Sequence, residues 1–212
     1  MRILLTNDDG YDHEGLAILY SIVKNYGEVT IVAPKTHQSA KSASLTIDRG
    51  LGVVEYDKNC FHVDGTPADC VKVALFALNR QFDLVISGCN DGHNISYDTS
   101  YSGTVGACLE AQFHSVPAIA FSTDFSHFDI VKKEASAVLD FIFKHQLTSD
   151  KYLLNVNFPS KYFQHSLGIR ITNLYMRKDN ISFAYKDGVH YSSRSTEKVI
   201  CEDENCDYNA VY

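Results

Sequence analysis

Short apolar runs, each ending in a polar turn that contains glycine or proline, recur along most of the chain. The first is Ile3–Leu5, which leads directly into the turn Asn7–Gly10. Runs of this length and composition are typical of buried strands in a parallel sheet. Between them the apolar side chains follow helical spacing, as from Leu16 up to Gly27, where the glycine ends the predicted helix. The chain therefore begins strand, helix, strand, which predicts a right-handed parallel unit.

The same pattern continues as far as Phe158 and predicts an α/β fold. The predicted strands cover residues 3–5, 29–33, 45–47, 53–56, 61–63, 82–86, 117–122 and 152–158. The predicted helices cover residues 16–26, 67–78, 103–114 and 131–147. Thr66 has the residue type of a helix N-cap, with Pro67 in the first helical position and Asp69 in the first turn.

The pattern changes at Gly168. The segment that follows alternates polar and apolar residues, is rich in tyrosine, and contains Lys186–Gly188, a hairpin turn candidate. We therefore predict a core over 1–167 and a β-rich arm over 168–212, in which residues 201–206 form a solvated tail. Because an isolated two-stranded unit is marginally stable in water, we expect the arm to pack on another subunit.

Two adjacent carboxylates follow the first predicted strand. Asp8 and Asp9 lie where open α/β sheets bind ligands, outside the carboxyl ends of their strands. Neighbouring carboxylates raise each other's pKa unless a cation lies between them. The pair therefore indicates a divalent-metal site. The alternative is a polar turn in which Asp9 and Gly10 are only the turn dipeptide.

Further polar segments follow other predicted strands: the loop 35–44 with Ser39, and the segment 87–94 with Asn90. In a doubly wound sheet with the first strand between strands 29–33 and 82–86, these segments meet Asp8 and Asp9. The combined donors are all oxygen atoms, which suit Mg, Mn or Ca better than zinc or copper. Taken singly, each segment also fits an ordinary polar loop.

A helix start near this point could bind an anion. Ser102 is a good N-cap, and the small residues behind it allow the helix to approach the sheet closely. Free N–H groups at such an end bind phosphate groups, although the same residues also fit ordinary capping. A metal ion beside a phosphate site implies phosphoryl chemistry.

Composition and charge narrow the class of protein. The 212 residues are 45% hydrophobic and 21% charged, as in one soluble domain with or without an appendage. A net charge of -7 disfavours nucleic-acid and membrane partners, and no apolar run is long enough to span a bilayer. The six cysteines show no zinc spacing, and the N-terminus resembles no secretion signal, so we expect a cytoplasmic protein.

Three other classes fit less well. A receiver domain needs an acceptor aspartate and a lysine at later strand ends, where this chain has Ser87 and Ser122–Thr123. A haloacid-dehalogenase-type phosphatase needs two aspartates two residues apart, whereas Asp8 and Asp9 are adjacent. A non-catalytic nucleotide-binding module stays open, although the two common glycine-rich nucleotide motifs are absent.

Five motifs in a fixed order carry a family resemblance. NDDG, HQSA, GTPADCV, SGxNxGxN and YSGTVGA lie in this order within residues 1–160. Together they resemble the SurE family of stationary-phase survival proteins, which are metal-dependent 5'/3'-nucleotidases. One departure is Ser96, which stands where the family usually has glycine.

The resemblance implies a Rossmann-like doubly wound core with an extended C-terminal arm, assembled as a homodimer or homotetramer. It implies one Mg- or Mn-type ion per subunit, held by four residues. Two of them are aspartates that also act as the catalytic residues. The four residues are Asp8, Asp9, Ser39 and Asn90. We expect nucleoside monophosphates as substrates, water as the attacking group with Asp8 as the alternative nucleophile, and phosphate contacts from a second set. That set comprises Asn94, Ser102, Gly103 and Thr104.

Overall fold

The computed structural model describes residues 1–176, 179–195, 201 and 203–212. The strands are β1 (Arg2–Thr6), β2 (Glu28–Pro34), β3 (Val53–Asp57), β4 (Cys60–Val63), β5 (Leu84–Asp91), β6 (Ala118–Thr123), β7 (Leu154–Asn157), β8 (Asn180–Lys186) and β9 (Val189–Ser195). The helices are α1 (Glu14–Val23), α2 (Pro67–Lys72), α3 (Asp98–Tyr101), α4 (Gly103–Phe113), α5 (Phe128–Lys144) and α6 (Asp207–Val211). A π-helical turn, Val73–Ala77, continues α2.

The main sheet confirms the predicted α/β class. Its strand order is β3-β4-β2-β1-β5-β6-β7, and every neighbouring pair is parallel except β3 with β4. β1 lies between β2 and β5, as the doubly wound order requires: Leu4 is paired with Thr30 on one side and with Val85 on the other. The chain therefore changes direction across the sheet beside the carboxyl end of β1, which is where ligands bind in such folds.

Helices cover both faces of this sheet. Because successive strand side chains point to opposite faces, Ile3 and Leu5 pack in one apolar layer with α1 and α5, and Leu4 packs in the other with α2 and α4. All three side chains are fully buried. This two-sided burial explains why β1 is continuously apolar, and it makes β1 a rigid base for the turn that follows it.

Two predicted elements differ in the structure. Residues 45–47 do not form a strand, because Thr46 donates its backbone N–H and its hydroxyl to the carboxylate of Asp69, at 3.1 and 2.7 Å. β5 is longer than predicted and continues to Asp91 through an irregularity between Ser87 and Asn90. Asn90 therefore lies within a strand that pairs with β6, and not in the loop beyond it.

The C-terminal segment contains the expected hairpin, in which β8 and β9 pair around Asp187 and Gly188. Both turn residues have positive φ, 52° and 80°, as tight hairpin turns require. The predicted solvated tail is confirmed for residues 203–205, which are exposed. It is wrong for Cys201 and Cys206, which are buried because α6 packs back on the core. The division at residue 167 stays a prediction. In the described part of the chain, no helix is long and apolar enough to cross a membrane.

Candidate active site

The turn after β1 presents the two adjacent carboxylates. Asn7 closes it by donating its side-chain nitrogen to the carbonyl of Gly10 at 2.8 Å and accepting the N–H of Gly10 at 3.3 Å. Gly10 has a φ of 117°, which an L-residue rarely adopts, so glycine is required there. The turn expected from the sequence is therefore present, and it holds Asp8 and Asp9 at the carboxyl end of β1.

Asp8 lies against the first turn of α4. The hydroxyl of Thr104 donates to the Asp8 carboxylate. A Cβ atom at position 103 would lie 2.9 Å from the Cβ of Asp8, so only glycine allows this approach. Burial raises the pKa of Asp8 to about 6, with Asp9 adding to the rise and Thr104 opposing it. The site therefore disfavours an ionised Asp8 unless a positive charge is nearby.

Asp9 shows the same electrostatic tension. Burial raises its pKa, the neighbouring carboxylate of Asp91 adds to the rise, and His13 and His37 oppose it. The backbone N–H of Asp91 donates to Asp9 at 3.3 Å, and Nδ1 of His37 lies 3.4 Å from the carboxylate. Nδ1 of His13 is 3.7 Å from the Asp9 carboxylate and also lies 3.3 Å from the backbone nitrogen of Gly15, at the start of α1.

The loop that carries Ser39 is fixed beside the two carboxylates. Gln38 donates its backbone N–H to the carbonyl of Asp8 at 2.7 Å, and Ser42 donates to the carbonyl of Tyr101 at 2.9 Å. Gly106 allows the loop to touch α4, since a Cβ there would lie 2.1 Å from the Ser42 carbonyl oxygen. Ser39 itself is exposed on this loop, next to Gln38.

Asn90 reaches the same edge of the sheet from β5. Its side-chain nitrogen donates to the carbonyl of Gly92 at 2.7 Å, which leaves the oxygen Oδ1 as the atom that can face a cation. Among the residues that the structure describes, no group of three or more His, Cys, Asp or Glu side chains is arranged for a metal ion. A cation here would need neutral oxygen donors beside Asp8 and Asp9. Asn90 and Ser39 have that chemistry, which fits Mg or Mn.

The predicted anion site is a capped helix start. The Ser102 hydroxyl accepts the N–H of Val105 at 3.2 Å, and the helix begins at Gly103. The first N–H groups of a helix have no partner inside it, so those of Gly103 and Thr104 point out of this end. Such an end carries a partial positive charge and suits a phosphate group.

Asn94 lies on the segment between β5 and this helix start and is 5% exposed. Its backbone N–H donates to Asn157 at 2.8 Å, and its side-chain nitrogen donates to Ser122 at 2.9 Å. Asn155 and Asn157 both donate to its carbonyl oxygen. Of the four residues expected to contact phosphate, three are adjacent in sequence, and the fourth, Asn94, is held in place by β6 and β7.

Sequence reasoning missed the residues that support the site. Asn155 and Asn157 alternate with apolar residues in β7, and this period of two indicated one polar face of the strand. Ser122 carried no such signal, because an isolated serine has no pattern. His37 is the first residue of the HQSA motif, but that motif assigned it no role. Their contacts depend on which strands and loops are neighbours.

Comparisons with known proteins agree with this architecture. The family model for "Survival protein SurE" matches residues 3–180. A "5'-nucleotidase SurE" of Albidiferax ferrireducens is 40% identical over 82% of this chain and 71% of its own length. A "5'-nucleotidase SurE" of Haemophilus influenzae is 41% identical, over 85% of this chain and 73% of its own length.

The fold has a solved counterpart. This chain superposes on the crystal structure of the SurE protein from Aquifex aeolicus with a TM-score of 0.85 and 31% sequence identity. The match covers 100% of this chain and 89% of the Aquifex aeolicus chain. The family match, the identities and the shared fold together show that this chain belongs to the SurE family of survival proteins.

Proposed function

We propose that this chain is a metal-dependent nucleotidase that hydrolyses nucleoside 5'- and 3'-monophosphates to nucleoside and phosphate. The contact between the Asp8 carboxylate and the first turn of α4 carries the proposal. In this proposal Asp8 is a cation ligand, and the helix start that it touches binds the phosphate. An ionised Asp8 and a phosphate bound at the start of α4 would repel each other unless a cation neutralised both. The relatives' name, 5'-nucleotidase SurE, supports the same substrate class.

In this proposal the divalent cation, when bound, neutralises a phosphate oxygen and makes water a better nucleophile. Asp8 and Asp9 hold the cation with the oxygens of Ser39 and Asn90. The N–H groups of Gly103 and Thr104 hold other phosphate oxygens, aided by Ser102 and by the side chain of Asn94.

The bond that breaks joins phosphorus to the ester oxygen of the ribose. We propose that water attacks phosphorus in line with this bond. The ribose oxygen leaves and takes up a proton derived from the water, so that nucleoside and phosphate form without a covalent enzyme intermediate. Asp8 is the side chain that could attack instead. A phosphoenzyme trapped on Asp8 would overturn the direct-water mechanism.

The experiment measures phosphate release from purified protein. We expect release from 5'- and 3'-monophosphates with Mn or Mg and none in chelator. Asp8→Asn should lower activity about a hundredfold or more, because the ligand charge is lost. The matched control is Asp129→Asn on α5, which removes an exposed carboxylate elsewhere and should leave activity unchanged.

The outcomes separate three cases. Release from 5'-monophosphates alone would remove the 3' activity from the proposal. Nucleotide binding without phosphate release would identify a binding module instead of an enzyme. Metal-independent release would refute the role of Asp8 and Asp9 as metal ligands.

The proposed substrates are small molecules, and we propose no nucleic-acid or membrane partner and a cytoplasmic location.

The arm supports a proposal about assembly. Ile181, Phe183 and Tyr185 share one face of β8, and they are 65%, 66% and 68% exposed in the single chain. A two-stranded hairpin with such a face is marginal alone, so we propose that a second copy covers it in a homodimer or homotetramer.

Light scattering at micromolar concentration tests this assembly. Phe183→Lys should lower the measured mass toward that of a monomer, because it places a charge on the proposed interface. Ser182→Lys on the opposite face of β8 is the matched control and should keep the assembly. A wild-type protein that is a single monomeric species would refute the proposal.

A further inference from the structure

Ser96 adopts a backbone conformation that favours glycine. It is fully buried, and its φ is 57°, in the left-handed region. An L-residue pays for this conformation and glycine does not. The residue stands two positions after Asn94, so its conformation sets the path of the chain out of the phosphate site. Some other interaction must therefore hold Ser96 in this turn.

Asp207 of α6 supplies that interaction. Its carboxylate oxygen Oδ2 accepts the backbone N–H of Ser96 at 2.6 Å. The other oxygen, Oδ1, accepts the N–H of Tyr175 at 3.0 Å and of Tyr208 at 2.9 Å. Asp207 is 9% exposed, so these are partly desolvated hydrogen bonds to a carboxylate, which are stronger than neutral ones.

The turn at Ser96 is linked to Asn94 by one further residue. The carbonyl of Ser96 accepts the backbone N–H of Thr99 at 3.3 Å. The Thr99 hydroxyl in turn donates to the carbonyl of Asn94 at 3.2 Å. A change at Ser96 would therefore move Thr99 and remove one of the bonds that hold Asn94.

We propose that Asp207 is a positioning residue for the phosphate site, which it orders by holding Ser96 in its left-handed turn. This inference rests on the proposed function, since it takes Asn94 as a phosphate contact. It assigns the C-terminal helix a part in substrate binding, although α6 contributes no atom to the site. A purely structural role, in which Asp207 only attaches α6 to the core, is the alternative.

Glycine at position 96 distinguishes the two roles. If Asp207 acts through the turn, adding Ser96→Gly to Asp207→Ala should restore phosphate binding. Glycine populates the left-handed region without the hydrogen bond from Ser96 to Asp207. If Asp207 only docks α6, glycine at position 96 restores nothing. The control is Asp203→Ala, which removes a carboxylate of the same segment that accepts from Asn173 and Asn205.

The experiment compares KM, kcat, inorganic phosphate affinity and Mn affinity for the single and double variants. Asp207→Ala should raise KM and weaken phosphate binding about tenfold, with kcat within about threefold, because the bonds to phosphate exist in ground and transition states alike. Adding Ser96→Gly should return both values to within about threefold of wild type. Mn affinity should not change, since Asp8 and Asp9 lie on the turn that follows β1 and not on the segment from Asn94 to Thr99.

Several results would overturn the proposal. They are an unchanged KM in Asp207→Ala, a loss confined to kcat, or no recovery with Ser96→Gly in a protein that still melts cooperatively. If Asp207→Ala does not fold, Asp207→Asn gives the comparison, because it keeps the side-chain shape but removes the charge and one of the two acceptor oxygens. If wild type releases no phosphate from nucleotides, the proposed function fails. Titration of the same variants with inorganic phosphate still tests whether Asp207 orders the phosphate site through the turn at Ser96.

Discussion

Replacing Asp8 with asparagine should stabilise the metal-free protein. Burial raises the pKa of Asp8 from 3.8 to about 6, so the folded protein resists ionisation of this group more than the unfolded chain does. A pKa difference of this size corresponds to about 3 kcal/mol at neutral pH. Asparagine keeps the shape and an oxygen that can accept the Thr104 hydroxyl, but it carries no charge.

The sign of the effect depends on pH. Because the folded-state pKa is raised, the protonated Asp8 stabilises the fold below pH 3.8, and that stability is lost as the pH rises through about 6. The advantage of Asp8→Asn should therefore be less than about 1 kcal/mol at pH 4 and near 3 kcal/mol at pH 7.5. For a chain of this size, that difference raises Tm by about 6–12 °C at pH 7.5.

The assay is thermal denaturation in chelator at both pH values, then with Mn. At a hundred times its Kd, Mn should add about 2.7 kcal/mol to wild type and much less to Asp8→Asn. The exposed control Asp129→Asn should change stability by less than about 0.5 kcal/mol at either pH. The electrostatic argument is wrong if Asp8→Asn melts below wild type in chelator at pH 7.5. It is also wrong if the stability advantage of Asp8→Asn over wild type is as large at pH 4 as at pH 7.5.

Three further results should follow. Asp9→Asn should abolish most phosphate release and most Mn stabilisation. Ser39→Ala should lower phosphate release by only about tenfold, since a hydroxyl binds a cation more weakly than a carboxylate does. Equal losses of activity in the two variants would contradict this difference. Gly103→Ala should destabilise the protein by about 1–3 kcal/mol in chemical denaturation, because its Cβ would lie 2.9 Å from Asp8; no change would show that α4 can shift. Tyr185→Lys should shift the mass seen by light scattering toward the monomer, and an unchanged mass would place the interface elsewhere.

Local elements were readable from the sequence because their causes lie within a few residues. The capping box at the start of α2 is an example: the Thr66 hydroxyl accepts the N–H of Asp69, and the Asp69 carboxylate accepts the N–H of Thr66. Residue types at this spacing predicted the helix start, and the structure confirms it. The continuous apolar character of Ile3–Leu5 likewise predicted β1, since a short strand covered on both faces has that composition.

Where one residue has partners both near and far in sequence, local reasoning fails. The segment 45–47 has the composition of a strand, yet Thr46 donates to the same Asp69 that caps α2. Asn90 was expected in a loop, but the irregularity in β5 keeps it paired with Ser122 of β6. In both cases the deciding partner is distant in sequence, and no short pattern identifies which distant residue it is.

The turn Asn7–Gly10 and its two carboxylates were determined by the sequence alone, together with the helix start at Ser102. Their contact was decided by the tertiary structure. Thr104 lies 96 positions from Asp8, and it reaches the carboxylate because β5 pairs with β1 and glycine at position 103 allows α4 to approach. The raised pKa of Asp8 has the same origin, since burial depends on every element packed around a residue and not on its neighbours in the chain.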